Sequence, residues 1–142
     1  MKGKSKVLML MLLAVVCIGC APPSFVRTME PTWASVELRK DVEYEKAWAI
    51  VIDLLTKRFD IAILSKDDGY ARTAWLYTWT GDLTNDYRVR TTVKFAPDHK
   101  VVNFKSEAEY RKQWMGWVQG TDTRLLATLK SDIMGVVGRT TR

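Results

Sequence analysis

Histidine is nearly absent: among 142 residues only His99 occurs. A histidine-based triad or histidine-rich metal site therefore has almost nothing to build on. Cysteine is scarce too, with only Cys17 and Cys20, both near the start of the chain. Ser24, Ser35, Ser65, Ser106 and Ser131 lack the glycine-flanked context of a nucleophile elbow. Gly116 and Gly120 lack the lysine and hydroxyl partners of a phosphate-binding loop. Asp67-Asp68-Gly69 offers an adjacent carboxylate pair where a calcium loop needs spaced oxygen ligands, so it reads as a turn. No catalytic, metal or cofactor site is expected, and the chain is read as a non-enzyme. No repeat or low-complexity tract appears, and the length fits one domain.

A long hydrophobic run is also missing. The apolar run near the start, residues 7–19, is short of the roughly 20 residues a membrane span needs. Its length suits a signal-peptide core, and Lys2, Lys4 and Lys6 precede it as such a core requires. The formal net charge of +6 shrinks accordingly: removing those three lysines from 22 basic residues leaves 19 against 16 acidic ones, or +3. That excess is too small and dispersed to suggest nucleic acid.

The run closes on Cys17-Ile18-Gly19-Cys20. Gly19 before Cys20 resembles the bacterial lipobox, although Cys17 stands where leucine is usual. The resemblance implies removal of residues 1–19 and acylation of Cys20. Several acyl chains on one cysteine give stable membrane anchoring. It implies that no free thiol or disulfide survives in the mature chain. Ala21, rather than aspartate, after the cysteine implies sorting to the outer membrane, facing the periplasm. Residues 20–31, with Pro22, Pro23 and Pro31, read as an extended tether.

Residues 32–142 read as an α+β domain. A strand is expected at 32–38, with Trp33, Ser35 and Glu37 alternating against Ala34, Val36 and Leu38. A helix is expected at 41–59, capped by Asp41, with Tyr44, Trp48, Val51, Ile52, Leu55 and Phe59 as its apolar stripe. Strands follow at 60–65, 70–80, 87–96 and 101–110. On the strand at 70–80, Ala71, Thr73, Trp75, Tyr77 and Trp79 share one face, and Trp75 is assigned to the core. Residues 113–120 read as irregular. A second helix at 121–137, capped by Thr121 or Asp122, buries Leu125, Leu126, Leu129, Ile133, Val136 and Val137, and Gly138 stops it. The expected order is β-α-β-β-β-β-α: an antiparallel sheet of four to five strands, both helices on one face and water on the other.

One register can be read directly. A four-residue turn at 97–100 pairs Ala96 with Val101, which sets Arg90 opposite Glu107 and Arg88 opposite Glu109. Those pairings also explain Glu107 and Glu109, whose spacing could otherwise suggest a glycosidase pair. Six tryptophans and five tyrosines are many for this length. Trp79, Trp114 and Trp117, in a strand end and a loop, are candidate partner-binding anchors together with Arg88 and Arg90.

Residues 41–96 carry a further likeness. Ala47-Trp48 and Leu54-Leu55 on a helix, a strand from Ile61, Asp67 and Gly69 before Thr73 and Trp75, and the basic strand at Tyr87-Arg88-Val89 resemble the helix-grip domains of BamC-like lipoproteins. Those are accessory subunits of the outer-membrane protein assembly machine. The resemblance implies a non-enzymatic binding or assembly module with an envelope protein as partner. A different expectation, from fold architecture, is a carrier of a small lipid or glycan between sheet and helices.

Overall fold

The hairpin of β6 (Asn85–Phe95) and β7 (Val101–Lys112) is the spine of the molecule, paired over its whole length. The computed structural model of the chain describes residues 21–78, 85–112 and 116–139. The Ala96 N–H donates to the Val101 carbonyl at 2.8 Å, and Arg90 faces Glu107 and Arg88 faces Glu109, in the register the turn length dictated. His99 takes a positive φ of 56° in that turn and stacks on Tyr44, ring centroids 3.8 Å apart.

Other strands attach to the two sides of this hairpin. β2 (Ala34–Glu37) and β8 (Trp117–Asp122) lie along β7, and β1 (Phe25–Arg27) adds outside β8. β4 (Tyr70–Thr73) and β5 (Leu76–Thr78) lie along β6, and β3 (Ile61–Ser65) adds outside β4. Helices α1 (Tyr44–Thr56) and α2 (Thr123–Val137) complete the fold. All strand pairings are antiparallel.

The α+β class holds, but the sheet has eight strands among the described residues, against four to five expected, and the order is β-β-α-β-β-β-β-β-β-α. The additions have physical causes. β1 sits inside the stretch read as a tether, and three residues are too few to show alternation. β8 was hidden by glycines that usually break strands. At Gly120 the glycine is required: a Cβ there would run into the Val26 carbonyl and the Phe25 ring.

The expected strand at 70–80 is split. β4 pairs Ala71 with Val93, whereas β5 pairs Leu76 with Val89, so the register slips by one residue between them. A one-residue slip exchanges the faces of every later side chain. Ala71 and Thr73 are buried under the helices, while Tyr77 stands opposite Arg88 on the other face. Trp75 is half-buried on that same face and is not in the core.

Trp48, Val51 and Leu55 of α1 and Leu129, Ile133 and Val137 of α2 pack with Val36, Val93, Phe95, Val102 and Phe104 into one buried cluster. Fully burying each such side chain contributes roughly 1.5–3 kcal/mol. Asp41 does not cap α1. Glu43 holds the cap position without a side-chain bond, and Asp41 sits in a turn beside Arg39 at 3.5 Å. Asp122 does cap α2, accepting from the Leu125 N–H at 2.9 Å. Lys57 pairs with Asp53, while Arg58 reaches Asp132 at 3.2 Å and ties the two helices. A second cluster, Phe59, Tyr87, Val89, Ala108 and Tyr110, closes one end of the sheet.

Candidate interaction face

The sheet face away from the helices was expected to be a solvated charge ladder, but much of it is covered. Arg88 and Glu109 side chains are 22% and 13% exposed, and Arg90 and Glu107 are 23% and 17% exposed. Alternation along β6 and β7 puts these charges on one face, and the slip before β5 brings two aromatic rings over them.

Contacts run unbroken across this face. Lys105 lies over the Trp33 ring at 5.2 Å and reaches Glu107 at 3.5 Å. Arg90 donates to both oxygens of Glu107, at 3.1 and 3.2 Å, and lies 4.3 Å from the Trp75 ring centre. Arg88 lies 4.6 Å from the same ring and 4.2 Å from the Trp117 ring. It donates to Glu109 at 2.8 Å and to the Tyr77 hydroxyl at 2.9 Å. Arg111 lies 4.8 Å from the Trp117 ring and donates to Asp86 at 2.9 Å. Each cation–ring contact is worth about 0.5–2 kcal/mol, more as water is excluded.

The electrostatics follow from this packing. Burial works to raise the Glu107 pKa, but hydrogen bonds from Arg90 and Thr92 and the charges of Arg90 and Lys105 outweigh it, so the carboxyl sits below its ordinary range. For Arg88 burial works to lower the pKa, and the bonds to Glu109 and Tyr77 overcome it, leaving a net rise. Glu107 and Arg88 are thus each held in the charged form by an ionic partner across the hairpin.

Beside the ladder is a groove of about 380 Å³, lined among others by Met29, Trp33, Trp75, Arg90, Glu107 and Gln119. The β1–β2 connection supplies its exposed apolar wall: Met29 is 85% exposed and Trp33 45%.

The residues singled out in the sequence divide three ways. Arg88, Arg90 and Trp117 come together here. Trp79, Trp114 and the lipidation candidate Cys20 lie outside the described residues. Trp33, Trp75, Lys105 and Met29 were missed. Alternation from Arg88 and Arg90 could have found Lys105, since it shares a face with Glu107, but nothing in the sequence marks the slip that redirects Trp75. Among the described residues, no group of three or more acidic, cysteine or histidine side chains could hold a metal ion, and no helix is long and apolar enough to cross a membrane. No protein-family model and no curated protein sequence matches the chain.

Proposed function

We propose that this protein is a lipid-anchored, periplasm-facing lipoprotein of the outer membrane. On this proposal its domain is a non-enzymatic binding or assembly module that docks an envelope protein at the groove beside the ladder. The anchor rests on the leader that ends in Gly19-Cys20. The docking role rests on one observation: exposed Met29 and Trp33 stand next to an arginine–tryptophan lattice held rigid by its own ion pairs. Large exposed aromatics beside pre-organised arginines are what interface anchors are made of.

The helix-grip likeness of residues 41–96 is compatible with two helices against one sheet face and points toward outer-membrane protein assembly. The alternative, a small-ligand carrier, finds less support. The space between the layers is filled by Val51, Leu55, Phe104 and Ile133, all with no exposed surface.

A photo-crosslinking residue at position 33, introduced in living cells, tests this. A discrete protein adduct is expected at position 33 and none with the same residue at exposed Lys94. Equal background at both positions rejects the surface. A Cys20→Ser variant should leave the membrane fraction; its retention there rejects the anchor.

A further inference from the structure

The stretch that would follow an acylated Cys20 is strapped to the domain. Ala21 packs on the cluster of Phe59, Tyr87, Val89, Ala108 and Tyr110. The Ser24 hydroxyl donates to Asp122 at 3.0 Å, and the Thr123 N–H donates to the Ser24 carbonyl at 2.9 Å. The Phe25 ring meets Tyr87 edge-on at 6.0 Å and Tyr110 at 6.1 Å. β1 then pairs with β8. Asp122 is the knot: it also accepts from the Tyr87 hydroxyl at 2.6 Å and caps α2.

A free tether over residues 20–31 would let the domain wander by roughly 20 Å. Here Cys20 precedes a docked residue, and adjacent Cα atoms are about 3.8 Å apart. Lipid on Cys20 would therefore leave the domain beside this cluster.

A surface groove flanks the same buried cluster. Phe59, Tyr87, Val89 and Leu125 line a groove of about 450 Å³, with Leu76 on its wall and Arg58 and Arg124 at its rim. Leu76 is 39% exposed, and its neighbour Tyr77, on the opposite face of the strand, is 60% exposed. Arg58 also holds Asp132. An apolar surface with guanidiniums at its edge matches the boundary between acyl chains and anionic headgroups.

We propose that this end of the domain is a membrane-docking surface: Leu76 and Leu125, backed by the buried Phe59, face the bilayer and Arg58 and Arg124 its phosphates. The lipid anchor and the strap together fix the orientation. The inference rests on acylation of Cys20.

The test uses the full chain, processed in a bacterial host and placed in vesicles of phosphatidylethanolamine and phosphatidylglycerol. Leu76→Cys and Arg124→Cys, at exposed positions, report on the groove, and Lys94→Cys on a remote surface. Reaction with a membrane-impermeant maleimide should be about fivefold slower in vesicles than in detergent for the two groove positions, and unchanged for the third. Intact mass of the same samples reports the lipid. A lipidated mass with groove thiols as reactive as the Lys94→Cys control overturns the docking surface alone. A mass without lipid overturns the anchor and the docking together.

Discussion

The Trp75 ring lies 4.3 Å from the Arg90 guanidinium and 4.6 Å from that of Arg88, so one indole bridges two cations of the same strand. Each arginine is neutralised by a carboxylate on β7, which lets the like charges share a ring. Trp75→Ala removes both ring contacts and uncovers the ion pairs. A loss of about 2 kcal/mol is expected from urea unfolding, with Trp75→Phe recovering part of it. An unchanged urea midpoint would show that the ring is idle.

The slip before β5 makes a second prediction. Deleting Ala74 should merge β4 and β5 into one regular strand with Trp75 opposite Arg90 and Tyr77 opposite Arg88. The variant loses the hydrogen bond from the Ala74 N–H to the Asp60 carbonyl, 2.8 Å long, at a cost of about 1 kcal/mol. A folded variant that keeps its near-ultraviolet tryptophan signal is expected; collapse of that signal would contradict the assigned register.

Glu107 makes stability depend on acidity. Its folded pKa lies below the unfolded value, so its contribution is complete above the ordinary carboxyl pKa and is lost as pH falls through the folded one. Glu107→Gln should cost about 1–2 kcal/mol at neutral pH, because Arg90 keeps a weaker partner. The variant's stability should also fall less steeply than the wild type's below pH 4.5. Parallel curves in that range would mean the carboxyl contributes no pH dependence.

Tyr87 acts at the alkaline end. Burial, then its hydrogen bond to Asp122, raises the phenol pKa far above the ordinary 10.0. Stability from this group is complete below pH 10.0 and falls as pH rises toward the folded value, because only the unfolded chain releases the proton. Tyr87→Phe should flatten the alkaline limb of a stability–pH curve. An identical alkaline limb would place the proton release elsewhere.

Gly120→Ala tests the strap. The added methyl would overlap the Val26 carbonyl and the Phe25 ring, so β1 must lift while the rest of the sheet stays paired. Rapid proteolytic clipping within residues 21–28, with the core resistant, is the expected pattern. Clipping at the wild-type rate would show that β1 adjusts without lifting.

The legible parts of the fold were those with long periodicity. The alternating residues from Tyr87 to Phe95 of β6 and a turn of fixed length dictated the register of β7, and two apolar stripes dictated both helices. Short elements held by distant partners were illegible. Phe25–Arg27 is a strand because Gly120, far along the chain, leaves room for its backbone. The site was half legible for the same reason. Arg88 and Arg90 followed from alternation and Trp117 from its unexplained position, but Trp75 required knowledge of a slip that alanine at position 74 does not announce. Asp41, a good cap by composition, stands three residues before Tyr44 begins α1.

β1 pairs with β8, so Phe25 finds Asp122 only after nearly the whole chain has been made. The β6–β7 hairpin closes locally and can form early, whereas contacts of such sequence separation close late. On the proposed export, amino end first, residues 25–27 would therefore stay unpaired until β8 has arrived. On the proposed acylation of Cys20, that delay would leave the cysteine open to a modifying enzyme before β1 closes onto β8.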